Sequence, residues 1–155
     1  MPFAMLWPTF ALVLLIFIVW AVMVAQRIGH VRRNPPGEGD LATGAAALRY
    51  FQPVEMAANN FRNLFEVPVL YFALVPLLLI THHGSHVQAV LAWIFVALRA
   101  LHSIIHIGPK RVNPRFLVYL ASCLVLAVMW IVFFVAMLHA ASLYHQALGG
   151  VYPMR

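Results

Sequence analysis

Four long runs of apolar residues divide the chain, and the shorter stretches between them hold many of its polar positions. The runs extend over about 4–26, 54–80, 87–107 and 114–144. A helix that crosses a bilayer needs about 20 mostly apolar residues, and each run reaches that length. The pattern therefore predicts an all-α fold, a four-helix transmembrane bundle that forms a single domain over residues 1–155.

The connections between these runs differ in charge. Residues 28–53 form the longest polar stretch, and the Asn-Pro-Pro-Gly sequence at 34–37 excludes a continuous helix through it. Arginines lie in this connection, and Lys110 and Arg111 lie between the third and fourth runs, whereas the connection at 81–86 has neither Lys nor Arg. The positive-inside rule therefore predicts that 28–53 is a cytoplasmic loop and that both termini lie on the non-cytoplasmic side. We expect a multi-pass protein of a bacterial inner membrane.

Composition excludes a soluble domain and limits the chemical classes of partner that the protein is expected to bind. Hydrophobic residues make up 64% of the chain, charged residues 9%, and the mean hydropathy is +0.89. Soluble domains average roughly 45–50% apolar and about 25% charged residues. The net charge is +6, and the cations lie beside apolar runs, which favours anionic lipid or a small anionic ligand over nucleic acid. Cys123 is the single cysteine, so no intrachain disulfide can form.

Polar residues also occur inside the second and third runs, where lipid would surround a helix. In each run their spacing places them on one helical face. Ionisable groups inside a bilayer cost several kcal/mol each unless they are paired or hydrated, so neither stripe can face lipid. The two stripes consist of Glu55, Asn59, Arg62, Asn63 and Glu66 in the second run, and Arg99, His102, Ser103 and His106 in the third.

The predicted topology brings both stripes to the same end of the bundle. Arg27 ends the first run and Arg115 opens the fourth at that end, which predicts a cationic cleft built from all four helices. Arginine suits the bidentate recognition of carboxylates, and an arginine beside a thiol favours the thiolate. The cleft therefore fits an anionic ligand that also carries donor groups. The alternative is that these charges only form ion pairs that hold the helices together.

At these residues the sequence resembles the MAPEG family, the membrane-associated proteins in eicosanoid and glutathione metabolism. Its members include microsomal glutathione transferase and microsomal prostaglandin E synthase. The segment 62–66, Arg-Asn-Leu-Phe-Glu, is similar to the signature of the family's second helix, and Arg27 is in register in the first. The segment 99–106 is similar to the signature that spans the third and fourth helices, and it is followed by Gly108, Arg111, Pro114 and Arg115. The resemblance covers nearly the whole chain.

The resemblance implies a homotrimer that binds glutathione, as cosubstrate, at each subunit interface. It further implies a glutathione transferase or peroxidase acting on a lipophilic small molecule or lipid that enters from the membrane lipids. Arg115 is then the catalytic residue that stabilises the thiolate. By position in the motifs, the glutathione pocket is lined by Arg27, Arg62, Asn63, Glu66, Arg99, His102 and His106.

One departure from the family pattern keeps other functions open. Asn59 stands where relatives often have a glutathione-binding arginine, so a non-catalytic lipid-binding or scaffold protein of the same fold is one alternative. A subunit of a larger membrane complex is another. A metal site at Glu66, His102 and His106 is disfavoured because the flanking arginines oppose cation binding. Pro68 and Pro76 are expected to kink the second helix.

Overall fold

The computed structural model describes residues 2–108 and 112–151, and every regular element among them is helical. Short 3₁₀ turns at Pro2–Met5 and Gln52–Val54 supplement six α-helices, which give four spans long and apolar enough to cross a membrane. The predicted all-α fold with four spans is therefore confirmed. The helices are α1 (Leu6–Arg33), α2 (Gly44–Phe51), α3 (Glu55–Asn63), α4 (Pro68–Ile80), α5 (His86–Ile107) and α6 (Val112–Val151).

Lys110 and Arg111, which the topology argument used, lie outside the described residues. The predicted side of the membrane for each terminus therefore stays a prediction. The bundle itself has two distinguishable ends. We call the end at which α1 and α5 finish and α3 and α6 begin the polar end, and the end at residues 81–85 the far end.

The bundle is apolar outside as well as inside, as a protein surrounded by lipid must be. Large side chains such as Trp7, Phe17 and Phe134 are more than half exposed in the chain. Inside, the ring of Tyr71 stacks on Phe95 with centroids 5.2 Å apart, and the Tyr71 hydroxyl lies 3.0 Å from the hydroxyl of Thr9. This contact joins α1, α4 and α5 in the half of the bundle away from the polar end.

The first helix and first connection differ from their predicted bounds. α1 continues to Arg33 instead of ending near Gln26, and α2 forms within the stretch that was predicted to be a loop. The start of α2 is stabilised by Thr43, whose side chain accepts a hydrogen bond from the N–H of Ala46. The segment that follows Thr43 contains three consecutive alanines, which are the best helix formers, so a short helix is favoured.

The second span is broken rather than kinked. α3 ends at Asn63, turns occupy 64–67, and α4 begins at Pro68. Pro68 has no N–H to donate to the carbonyl four residues earlier, and its ring clashes with that carbonyl, which favours a break at this point. Pro76, by contrast, lies inside a continuous α4. The break therefore coincides with the polar stripe of the second span.

Candidate functional site

A pocket of about 590 Å³ opens at the polar end, between the end of α3, the last turns of α5 and the start of α6. Its volume lies within the range of roughly 300–1,000 Å³ typical of ligand sites. Four of the predicted site residues line it: Asn63, Glu66, His102 and Arg115. Among the described residues, Asn113, Phe116, Leu117 and Tyr119 also line it.

The break in the second span determines how α3 meets this pocket. Asn63 is the last residue of α3, and Glu66 lies in the irregular segment that follows, with an exposed side chain. In a continuous helix these two residues would remain within a regular hydrogen-bonded backbone. Here the chain turns at the pocket wall, so the carboxylate of Glu66 and the amide of Asn63 extend from an irregular backbone segment. Some hydrogen-bonding groups of that backbone segment are free to bond a ligand.

Arg99 lies behind this wall and is fully buried. Its Nη2 donates to the carbonyl oxygen of Asn63 at 2.6 Å, and its Nη1 donates to the hydroxyl of Ser122 at 3.4 Å. The guanidinium carbon also lies 5.3 Å from the ring centroid of Tyr119. The last carbonyls of a helix lack intrahelical donors and carry partial negative charge, so a buried cation at this point stabilises the end of α3.

His102 and His106 form a hydrogen-bonded chain from α5 to α6. Nδ1 of His102 is 3.2 Å from the carbonyl oxygen of Arg115, which can only accept, so this nitrogen carries the proton. Nε2 of His102 then accepts from Nδ1 of His106 at 3.4 Å. Both donors are therefore used within the protein. The unpartnered atom is the buried Nε2 of His106, which in this arrangement is an acceptor.

Arg115 provides the positive charge that the pocket presents to a ligand. It lies near the start of α6, with a half-buried side chain, and the positive end of the helix dipole adds to its field. Tyr119 follows one helical turn later on the same face and also lines the pocket. Tyr119 was not among the predicted site residues, although its spacing of four residues from Arg115 was the signal that it shares the site.

Arg27 and Arg62 lie elsewhere, on both sides of Glu55. The Nη2 atoms of Arg27 and Arg62 are 3.7 Å and 3.9 Å from the two carboxylate oxygens of Glu55. The guanidinium of Arg27 also stacks over the ring of Phe51, 4.9 Å from its centroid. Of the four arginines predicted to converge on one ligand, Arg115 lines this pocket among the described residues of one chain. The glutathione roles assigned to Arg27, Arg62 and Arg99 stay predictions.

The described residues contain no group of three His, Cys, Asp or Glu side chains arranged to hold a metal ion. The described residues that line the pocket instead combine one carboxylate, one guanidinium, one imidazole, one phenol and amides. Such a set recognises an organic ligand that carries both negative charge and hydrogen-bond donors.

The fold and the pocket together define a multi-pass integral membrane protein with a polar site at one end of a helical bundle. A family model for the MAPEG family matches residues 5–148, and the chain belongs to this family. Members of the family generally use glutathione. Searches of curated proteins and of solved structures return no significant match.

Proposed function

We propose that the protein is a membrane-bound glutathione transferase or peroxidase that activates the thiol of glutathione toward a lipophilic electrophile. The observation that carries the proposal is the pocket at the polar end, in which Asn63, Glu66, His102, Arg115 and Tyr119 converge. Glutathione is a tripeptide with two carboxylates, an ammonium group, two amides and a thiol. The pocket offers Glu66 to the ammonium group, Asn63 to the amides and Arg115 to the thiolate, whereas the two carboxylates need donors from beyond its described lining.

The residues divide into those that meet the ligand and those that support them. Arg115, together with the start of α6, stabilises the thiolate, which is the reactive form of the thiol. Glu66 accepts from the ammonium group, and the side-chain amide of Asn63 bonds the peptide groups. Arg99, His102 and His106 hold Asn63 and Arg115 in place through the hydrogen bonds described above.

The electrophile has a direct route to the thiol from the bilayer. Phe116 and Leu117 line the pocket and are 60% and 63% exposed in the chain. They lie on a span long and apolar enough to cross the membrane, so an apolar substrate dissolved in lipid reaches the pocket edge without crossing water.

A second copy of the chain would complete the site. Glu66 and Phe116 line the pocket and have exposed side chains among the described residues, so a neighbouring copy has room to cover them. Arg27 lies against Phe51 and Glu55, outside the pocket of its own chain. If one glutathione contacts both Arg27 and Arg115, the two arginines come from neighbouring copies, as expected for a site at the interface of a homotrimer.

Titration of the detergent-purified protein with glutathione, followed by the ultraviolet absorbance of the thiolate, tests the proposal. We expect saturable thiolate formation, which Arg115→Ala abolishes. Arg32→Ala is the matched control, because it removes the same charge from an exposed position at the end of α1. Binding without thiolate would contradict the transferase chemistry, and the absence of binding at millimolar glutathione would contradict the whole proposal.

Mixed oligomers test the subunit interface separately. Arg27→Ala and Arg115→Ala, each expected to be inactive alone, should recover a fraction of the activity when they are co-expressed. Recovery follows because some interfaces then combine an intact Arg27 from one copy with an intact Arg115 from its neighbour. Activity that stays at the level of the separate variants would place both arginines in the site of one chain.

A second function is favoured by one observation. Arg27 and Arg62 bind Glu55, and Asn59 replaces a family arginine, so the pocket of one chain has a single described arginine in its lining. A weak anion site suits a non-catalytic lipid-binding or scaffold protein of the same fold. The same titration separates the two candidates, because such a protein forms no thiolate.

A further inference from the structure

A groove with a volume of about 460 Å³ lies between α1 and the last turns of α5. It is on the face of α5 opposite to His102, and so away from the pocket at the polar end. Its volume is sufficient for a ligand, since such sites typically measure roughly 300–1,000 Å³. The lining includes Leu15, Ile18, Val19 and Val22 on α1 and Ala100 and Ile104 on α5.

The groove is suited to an apolar occupant. Ser103 also lines it, but the hydroxyl of Ser103 already donates to Oδ1 of Asn60 at 3.4 Å, so this side chain needs no ligand. Ile18 and Ile104 are 52% and 66% exposed in the chain, so the groove is open to the surroundings of the bundle. Both helices belong to spans long and apolar enough to cross a membrane, and an acyl chain of the bilayer is the apolar group that surrounds them.

Arg33 lies at the polar end of the same face of α1. It follows Val22 by eleven residues and Gly29 follows Val22 by seven, and both spacings are close to whole numbers of helical turns. The Arg33 side chain turns back along the helix, since its Nε donates to the carbonyl oxygen of Gly29 at 3.1 Å. The guanidinium therefore lies on the line that continues the groove toward the headgroups.

Gly29 provides the space in which this guanidinium lies. A Cβ atom on Gly29 would be 3.2 Å from Nη2 of Arg33, which is closer than ordinary van der Waals contact. Glycine inside a helix is destabilising relative to alanine. Its presence in α1 is therefore explained by the close approach of Arg33 and not by helix formation.

The length of α1 places the groove and Arg33 at different depths of the membrane. At 1.5 Å per residue, its 28 residues extend about 42 Å, whereas the hydrocarbon core is about 30 Å thick. The last turn of α1, which includes Arg33, therefore reaches the headgroup layer, and Val22 lies about three turns deeper. Gln26 is on the same face between them, half-buried, at the depth of the ester groups of a lipid.

The charges favour a phosphate over a second copy of this chain as the partner of Arg33. The ion pairs of the described residues join Glu55 to Arg27 and Arg62, and Arg33 is exposed without one. The chain has ten Lys and Arg against four Asp and Glu, so a second copy would bring more cations than acids. A phosphate matches the guanidinium with two parallel hydrogen bonds.

We propose that this groove binds an anionic phospholipid. One acyl chain lies between α1 and α5, the amide of Gln26 donates to an ester carbonyl, and Arg33 binds the phosphate. A zwitterionic lipid binds more weakly because the neighbouring Arg32 repels its ammonium group. The site is independent of glutathione, so it stands or falls apart from the proposed function.

Native mass spectrometry of the delipidated protein in detergent counts the bound lipids. The probes are phosphatidylglycerol and phosphatidylcholine with the same acyl chains, and glycerol 3-phosphate, which has the phosphate without the chains. We expect one phosphatidylglycerol per chain, bound about tenfold more tightly than phosphatidylcholine, the effect of one charge-assisted hydrogen bond. An excess of glycerol 3-phosphate should not displace it. Displacement at equal concentration would contradict a role for the groove.

Variants at the headgroup position test the role of Arg33. Arg33→Gln should lower the affinity for phosphatidylglycerol to that for phosphatidylcholine. Arg32→Gln is the matched control, because it removes the same charge from another exposed position of α1, and it should retain at least half of the preference. Gly29→Leu occupies the space of the guanidinium and should reduce the preference severalfold. It replaces glycine by a good helix former, so it should fold at least as well as the wild type.

A variant of the groove tests the position of the acyl chain. Ala100→Phe fills the groove and should weaken the binding of both phospholipids, while Arg33→Gln affects mainly the anionic one. Equal losses in Arg33→Gln and Arg32→Gln would overturn the proposal, since they would indicate a general attraction by surface charge. Unchanged lipid binding by Ala100→Phe, together with a change in the number of copies per particle, would assign the groove to an interface between copies and would also overturn it.

Discussion

The two ends of the bundle satisfy the last carbonyl groups of a helix in different ways. At the polar end, α3 stops inside a membrane-spanning segment, and the carbonyl of its last residue is bonded by a charged side chain, Arg99. At the far end, α4 stops at the Schellman turn of His82 and His83, and backbone N–H groups bond its last carbonyls. The backbone solution needs no charge, whereas the side-chain solution brings a cation to the wall of a pocket. Among the described residues, this difference accounts for a buried cation at the polar end and none at the turn of His82 and His83.

The largest expected effect comes from removing the cation at the polar end. Arg99→Ala deletes the bonds to Asn63 and Ser122 and leaves a cavity, which should lower the free energy of unfolding by about 2–4 kcal/mol. Arg99→Lys should recover only part of this loss, because an ammonium cannot reach both acceptors as a planar fork does. Unfolding in mixed micelles measures both variants, and Arg32→Ala should change the value by less than about 0.5 kcal/mol. A near-zero effect of Arg99→Ala would mean that the end of α3 does not depend on it.

A smaller effect is expected from making the second span continuous. Pro68→Ala restores the missing N–H, so the helix can extend through 64–67 and move Glu66 away from the pocket. Glutathione affinity should fall roughly tenfold, the loss of about one charge-assisted hydrogen bond. Pro76→Ala is the matched control, since Pro76 already lies inside a continuous helix. If both variants weaken glutathione binding equally, the break is not what presents Glu66.

The smallest effect concerns the ion pairs beside the pocket. Glu55→Gln removes the carboxylate that both Arg27 and Arg62 approach, and stability should fall by less than about 1 kcal/mol because the arginines are partly exposed. The released arginines become available to an anion, so glutathione affinity in the oligomer should rise severalfold. Isothermal titration measures this change. A decrease in affinity would show instead that Glu55 holds the arginines in their binding positions.

The spans could be predicted because each depends on a long run of residues and not on any single contact. The same reasoning placed Asn63, Glu66, His102 and Arg115 together, since helical spacing and the predicted topology bring them to one end. Predictions of this kind tolerate errors of several residues at a helix end. The end of α1 at Arg33 is such an error, and it leaves the position of Arg27 at the polar end unchanged.

Single contacts could not be predicted in the same way. Arg99 was expected to meet a carboxylate or a ligand, yet its shortest bond is to a backbone carbonyl on another span, and a sequence pattern does not reveal backbone partners. Pro68 and Pro76 are equally visible in the sequence, but only Pro68 coincides with a break. What distinguishes Pro68 is the carbonyl of Asn63, five residues earlier in the chain, which Arg99 bonds. This bond is a tertiary contact, which the sequence pattern does not reveal.

The contact between Arg99 and Asn63 also bears on how the protein enters the membrane. An arginine at the centre of an isolated helix costs about 2.5–3.5 kcal/mol during insertion, so α5 is a poor candidate for independent entry. The short connection at 81–85 keeps α4 and α5 adjacent from the moment both are synthesised. We therefore expect the second and third spans to insert into the membrane together as one hairpin. The guanidinium of Arg99 is then already bonded to the carbonyl of Asn63 before lipid surrounds the two spans.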